Sequence, residues 1–307
     1  MEAVPIRLSH STLQTLHTCE RKFQLDKLLV TGVEREESEH MSFGKAFGAG
    51  VATYLVTQDA NRAMFEMWLA YWPELETDKK SIARCTAALE VAIPKLDTIL
   101  MDYEIVHFEG KPAVELSFRL DITGEYYFVG YIDAVLKNRY SGLHVVFECK
   151  TTGLALFDLS PLYQNSGQAL GYSIGLDKIA GEKLTSYGVL YFVCQLGKDF
   201  TPKIQVFEWK KTLADRLNWF ISLGLDVKHL VEMSSLGVYP KRGESCLQYN
   251  RPCKYFGVCA LHSVDVPKVI EEDTIEYQFV YQLEDLVQDH LTRIVDITVT
   301  ETTLLGA

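Results

Sequence analysis

Two apolar runs near the middle of the chain each end in charge. Tyr126-Tyr127-Phe128-Val129-Gly130-Tyr131-Ile132 leads into Asp133, and Val145-Val146-Phe147 leads into Glu148-Cys149-Lys150. Ser141-Gly142 lies between them and suits a hairpin turn. An extended chain alternates faces, so Glu148 and Lys150 point one way while Phe147 and Cys149 point the other. Once the turn closes, Asp133 reaches the same spot. Any fold of this chain must therefore hold two carboxylates and an ammonium at one point of a mostly apolar sheet. Charge placed there is costly unless a cation or an anionic substrate completes it.

The elements around this pair follow from period and punctuation. Ser9-His10-Ser11-Thr12 offers capping hydroxyls to a first helix carrying Leu13, Leu16, Phe23 and Cys19. A glutamate-rich loop follows at 34–39. Phe43, Phe47, Val51 and Tyr54 mark a second helix, and Ala63, Met64, Met67 and Trp68 a third behind Asp59. Asp78 is the expected cap of a longer helix through Leu89, bent at Pro94 and ending near Tyr103. Strands are expected at 105–108, 112–120, 125–137 and 143–150, then one helix from Ser160-Pro161 to about Ile179. Gln168 and Tyr172 share a face of that helix at i, i+4. Strands at 186–196 and 203–209, a helix near 212–233, a loop over 236–262, a strand at 275–282 and a helix near 284–295 complete the expectation. This is an α/β (α+β) pattern in one domain, 1–307. Helices occupy 1–104, the sheet core 105–210, a helix and a cysteine loop 211–262, and an acidic extension 263–307.

Bulk properties narrow the class. The longest apolar run, Val189 to Cys194, is far shorter than the ~20 residues that span a bilayer. The first seven residues lack a basic region followed by an apolar run, so no signal peptide is expected. Seven cysteines, without the spacing of a small disulfide-bonded domain, point to a reducing cytoplasm. The net charge of −11 looks wrong for a protein that binds nucleic acid. It is unevenly spread: residues 260–307 carry ten acidic and two basic side chains, residues 198–259 ten basic and six acidic. A basic groove is compatible with that total.

Asp133 followed by Glu148-Cys149-Lys150 resembles the PD-(D/E)XK nuclease superfamily. Gln168-Ala169-Leu170-Gly171-Tyr172 is similar to the Gln-x-x-x-Tyr motif of its RecB-like branch. Cys19 with Cys246, Cys253 and Cys259 resembles the split four-cysteine iron–sulfur site of that branch, as in the CRISPR adaptation exonuclease and AddB-type helicase–nuclease subunits. The resemblance covers roughly residues 9–262. It implies a restriction-endonuclease-like core: a mixed central sheet flanked by helices, with the N-terminal helices as an elaboration. It also implies a DNA exonuclease or end-processing enzyme of recombination, repair or phage DNA metabolism, alone or with a helicase partner, and no membrane.

On the resemblance, Asp133, Glu148 and the backbone carbonyl of Cys149 would hold Mg²⁺ or Mn²⁺. Such a metal supplies a nucleophilic water and relieves phosphate charge. Lys150 would orient or deprotonate that water. Gln168 and Tyr172 would support the site or reach the substrate strand, and Glu115 is a further candidate ligand. One departure matters. The branch usually carries a metal-binding histidine on an early helix a few residues after a glycine. Here Ser42-Phe43-Gly44-Lys45-Ala46-Phe47-Gly48 puts Phe47 or Gly48 in its place. That leaves open a non-catalytic relative that only binds DNA or a partner.

The cysteines admit two metals. With Cys19 the set would hold a [4Fe–4S] cluster, and with His262 instead a local Cys₃His zinc site. Three unrelated buried thiols remain the alternative. Cys85, Cys149 and Cys194 fall in helix or strand patterns and are most simply core residues.

Overall fold

In the computed structural model, which describes residues 5–31, 33, 38–154, 159–197, 201–248, 251–261, 269 and 273–305, a short strand and five helices come first. They are β1 (Ile6–Leu8), α1 (His10–Thr18), α2 (Glu20–Phe23), α3 (Glu39–Thr57), α4 (Ala60–Ala70) and α5 (Ile82–Asp102). Strands β2 (Tyr103–Ile105), β3 (His107–Phe108), β4 (Lys111–Pro112), β5 (Val114–Thr123), β6 (Tyr126–Asn138) and β7 (His144–Thr152) follow. Then come α6 (Ser160–Gln164), α7 (Gly167–Tyr172), α8 (Leu176–Ala180), β8 (Ser186–Leu196), β9 (Pro202–Thr212) and α9 (Leu213–Leu236). The chain closes with β10 (Leu247–Gln248), β11 (Arg251–Pro252), β12 (Phe279–Gln282) and α10 (Leu283–Leu305). The expected glutamate-rich loop falls largely outside the described residues.

Capping sets most helix starts. Ser9 and Thr12 form a reciprocal capping box at α1, and Asp59 accepts the backbone N–H groups of Asn61 (2.9 Å) and Arg62 (3.1 Å) at α4. Four expectations are corrected. Helix α5 is capped by Ser81, not Asp78, which lies in the turn closed between Thr77 and Lys80. Cys19 is not on a helix: it is an extended residue (φ −166°, ψ 115°) breaking α1 from α2. The single helix expected over 160–179 is three short ones, because Ser166 caps a fresh start at Gly167, and Gly171 and Gly175 weaken continuation. The last strand begins at Phe279 because the Asp273 carboxylate takes the Ile275 N–H (3.2 Å) and the Tyr277 hydroxyl (3.0 Å), holding that stretch out of the ladder.

The chain divides into two units, one of Met1–Arg35, Ser117–Gly130 and Leu217–Ala307, the other of Glu36–Leu116 and Tyr131–Arg216. The second is built on a mixed sheet in the order β2-β6-β7-β8-β9. Strands β6 and β7 are antiparallel from Ala134↔Phe147 to Lys137↔His144. Strands β7 and β8 are parallel from Val145↔Gly188 to Thr152↔Gln195, and β8 and β9 antiparallel. A parallel pair needs a crossover, which α6 to α8 supply. Val189 to Cys194 is buried on both faces of the sheet, which explains its unbroken apolar run. Helices α3 and α5 lay Phe43, Phe47, Leu89 and Leu96 in one core with Phe147 and Phe192, whose rings stand 5.7 Å apart.

The first unit pairs β1 in parallel with the start of β6 and β12 in parallel with β5. Its core sets Phe128 edge-on to Trp219 (5.3 Å) and Phe220 edge-on to His290 (5.0 Å). Among the described residues no helix is long and apolar enough to cross a membrane.

Candidate active site

The hairpin that carries the charged residues closes as the sequence implies. Gly142 donates to the Asn138 carbonyl (2.9 Å) and adopts φ +71°, a conformation only glycine reaches freely. Strand alternation then puts Glu148 and Lys150 on one face, with Lys150 Nζ 2.6 Å from Glu148 Oε1. The β6–β7 ladder stops at Ala134–Phe147, and one step further Asp133 Oδ2 takes the Cys149 backbone N–H at 2.8 Å. Within a strand the N–H and C=O of one residue leave on the same edge. The Cys149 carbonyl is therefore turned to the Asp133 side as well.

Helix α7 completes the inner ring. Ser166 accepts the Gln168 N–H (3.3 Å), and Gln168 Nε2 donates to Glu148 Oε1 at 2.6 Å and to the Tyr172 hydroxyl at 3.3 Å. The expected i, i+4 pair thus acts together. Tyr191 and Ser166 are supports that the motifs did not reveal. Tyr191, on β8, accepts the Ala169 N–H (3.3 Å) and stacks on Tyr163 at 4.7 Å, fixing α7 to the sheet. Its signal was available: a tyrosine inside a buried run needs a partner for its hydroxyl.

Electrostatics here are dominated by burial. Glu148 is 1% exposed, and burial, then the Asp133 charge, push its carboxyl up to about 8 despite Lys150. Burial likewise raises Asp133, against the pull of the Cys149 N–H and Lys150. For Lys150, burial alone would lower the ammonium, but Glu148 and Asp133 outweigh it and raise it. Glu115, the second residue of β5, sits at φ +49°, an unusual conformation for a glutamate. Crowding and then Asp133 raise its carboxyl to about 7, although the residue keeps an exposed surface that screens it. It forms no hydrogen bond with the inner ring.

A divalent cation fits this set. Glu148 Oε1 has two donors, whereas Oε2 is buried without a hydrogen-bond partner among the described residues. A bare buried acceptor costs roughly 1–3 kcal/mol, and hard divalent ions prefer carboxylate and carbonyl oxygens. Asp133, Glu148 and the Cys149 carbonyl would hold the ion. Among the described residues no group of three or more His, Cys, Asp or Glu side chains is arranged to hold a metal ion, so Glu115 is not a ready third side-chain ligand. Of the two residues at the expected place of a helix histidine, Phe47 is wholly buried among apolar side chains, and a Cβ on Gly48 would meet open space.

The same finding applies to the thiols: Cys19, Cys246, Cys253 and Cys259 are free and do not form a metal-holding group. They nonetheless lie in one unit, and their flanks are laced together. Cys19 Sγ approaches the Pro240 carbonyl (3.9 Å), Ser245 Oγ donates to the Thr18 carbonyl (2.6 Å), and Arg21 donates to the carbonyls of Cys259 (3.3 Å) and Leu261. Cys253 and Cys259 pack against Leu25, Leu29 and Tyr255. His262, the alternative zinc ligand, lies outside the described residues. Cys85 and Cys194 are buried in the sheet–helix core, and Cys149 packs against it.

Comparison with known proteins agrees with this geometry. Two solved structures show a distant likeness. A provisionally named exonuclease from Eubacterium rectale is 14% identical over 83% of this chain and 93% of that one, with TM-score 0.45. The protein SSO0001 is 15% identical over 74% and 88%, with TM-score 0.30. No curated protein matches the sequence. The family model of the PD-(D/E)XK nuclease superfamily matches residues 7–260, a span that encloses Asp133, Glu148 and Lys150, and the chain belongs to that superfamily.

Proposed function

We propose that the protein is a metal-dependent deoxyribonuclease, an exonuclease or end-processing enzyme of the RecB-like branch, acting in recombination, repair or phage DNA metabolism in the cytoplasm. The observation that carries the reading is the buried Glu148 Oε2, without a partner among the described residues, beside Asp133 and Lys150. With both acids ionised, two carboxylates face one ammonium and the pocket is short of positive charge. Bound Mg²⁺ or Mn²⁺ would supply that charge, an activated water and a Lewis acid for the phosphate.

The chain's own groups have separable tasks. Asp133 is oriented by the Cys149 N–H, and Glu148 by Gln168 and Lys150, so both carboxylates are held before any ligand arrives. The Lys150 ammonium stays protonated beside Glu148 and is placed to steady the attacking water and the charge developing on a phosphodiester. Gln168 is a positioning residue, and Tyr172 fixes it through the hydroxyl it shares.

For the cysteines we keep the [4Fe–4S] assignment to Cys19, Cys246, Cys253 and Cys259. What supports it is the lacing of Pro240, Ser245 and Cys259 to the residues around the Cys19 break. A second reading, a non-catalytic DNA- or partner-binding relative, draws on Phe47, buried among apolar side chains, and Gly48 standing where the RecB-like branch usually has a histidine. End-labelled single- and double-stranded DNA incubated with Mg²⁺, with Mn²⁺ and with chelator separates the two. Metal-dependent shortening of the labelled strand supports the nuclease, and binding without shortening under either ion supports the second reading.

A further inference from the structure

At the other end of the β6–β7 hairpin, about 13 Å along the strand from Glu148, three strands align their side chains in a row. Glu104 of β2 pairs with Lys137 of β6, and Lys137 with His144 of β7. Directly opposed residues project to one face. A cavity of about 560 Å³ opens there, closed by α8 and its following turn, with Glu182 on that wall and Val56, Leu100 and Ile179 as apolar floor. The volume falls within the range of small-molecule sites, roughly 300–1,000 Å³, and the lining divides evenly between apolar side chains and polar or charged ones.

His144 marks the cavity as more than a surface dent. It is 5% exposed, and its Nδ1 has no hydrogen-bond partner among the described residues. Burial, then Lys137, lowers its imidazole below the ordinary value, so the ring is neutral and carries one donor and one acceptor nitrogen. Arg139 is committed to Glu104 at 2.9 Å and to the Tyr103 carbonyl at 3.1 Å. Lys137 forms no ion pair among the described residues and is the cation open to a ligand. A cation, a neutral imidazole, a carboxylate and an apolar floor together match a molecule with an anionic end, hydroxyl or amino donors, and a flat apolar face.

We propose that this cavity is a second ligand site, apart from the carboxylate centre, that takes a nucleoside monophosphate. The phosphate sits at Lys137, His144 shares a hydrogen bond with it, Glu182 accepts from a sugar hydroxyl or a base amino group, and the base lies on Val56, Leu100 and Ile179. The ligand class rests on the nuclease reading, because hydrolysis of DNA from an end releases molecules of this kind.

The test is calorimetric titration of the full chain in EDTA with deoxyadenosine monophosphate, with deoxyadenosine, and with inorganic phosphate. One deoxyadenosine monophosphate should bind per chain, at least tenfold tighter than either fragment. Asp133→Asn should leave this binding intact, whereas Lys137→Ala and His144→Asn should each weaken it at least tenfold. No binding at millimolar nucleotide, loss of binding in Asp133→Asn, unchanged affinity in Lys137→Ala, or phosphate alone binding as tightly would each overturn the site. If His144→Asn loses its cooperative melt, Lys137→Ala decides. Binding without metal needs no cleavage, so an inert protein that still binds the nucleotide sinks the nuclease reading and keeps this site.

Discussion

The carboxylate of Asp133 holds the backbone N–H of Cys149 at 2.8 Å, one step past the last ladder pair of β6 and β7. A side chain thus takes over where backbone pairing ends. The two strands can splay there without orphaning an amide, and the Cys149 carbonyl faces the same space as both acids. Glu148, 1% exposed, then meets Gln168, Lys150 and a gap.

Removing any of the three charged groups should stop the chemistry. Asp133→Asn, Glu148→Gln and Lys150→Met are each expected to slow cleavage by on the order of 10³-fold or more, with a native far-UV spectrum retained. Single-turnover assays on end-labelled DNA measure this, and near-wild-type cleavage in any one would show that the site lies elsewhere.

The metal-free protein should lose stability as pH rises. The folded-state value for Glu148 is about 8 against an ordinary 4.5, so the folded state holds an extra proton between those values. Stability from this group is complete below 4.5 and is lost as pH climbs through about 8, at up to about 1.4 kcal/mol per pH unit. Asp133, also raised, acts in the same direction. Glu148→Gln should flatten the profile and raise the pH 8 melting temperature in EDTA. Melts at pH 5 to 8.5 with and without Mg²⁺ check this, and a profile that climbs with pH would contradict the assigned burial.

Gln168→Ala removes the 2.6 Å hydrogen bond to Glu148 Oε1 without touching a ligand. Metal affinity and cleavage should fall together by about 10–100-fold, as is usual for groups that orient ligands. Tyr172→Phe, which loses the 3.3 Å contact to Gln168, should do less. Metal titrations of cleavage rate distinguish a loss that saturating Mn²⁺ restores from one that it does not.

Anaerobically purified protein should be brown, and Cys253→Ser or Cys259→Ser should bleach it. Cys19→Ser should bleach it too while leaving the fold close to intact, because Arg21, Ser245 and Arg242 already hold the loop through Cys259, Thr18 and Glu20. Arg21→Ala should cost more stability, about 1–3 kcal/mol, because it removes the donor to the buried Gln24 side chain as well as those to the Cys259 and Leu261 carbonyls. Absorption near 400 nm and chemical melts read these outcomes; a colourless zinc protein indifferent to Cys19 would remove the cluster.

Gly188→Ala should destabilise the sheet that carries the site. A Cβ there would stand 2.7 Å from Val145 Cγ2 across the β7–β8 pair. Overpacking of this kind costs about 1–3 kcal/mol, readable as a lower melting temperature. Val145→Ala in the same chain should recover part of it.

Much of this architecture was legible in the sequence because it depends on short-range periodicity. Alternation alone places Glu148 with Lys150, one helical turn places Gln168 with Tyr172, and capping residues start the helices at Ser9 and Asp59. Those relations span a few residues and survive any packing. Other features arise from contacts between distant segments. Glu148 Oε2 is left bare because α7 and Lys150 reach only its twin oxygen, and Glu115 stands near Asp133 through a left-handed backbone that no pattern announces. The break of 160–179 at Ser166, the extended Cys19 and the clasp of Arg21 on Cys259 are likewise decisions of tertiary structure. The sequence determines which groups share a face. Burial and long-range hydrogen bonding decide which of them remain unsatisfied, and that is where the candidate site lies.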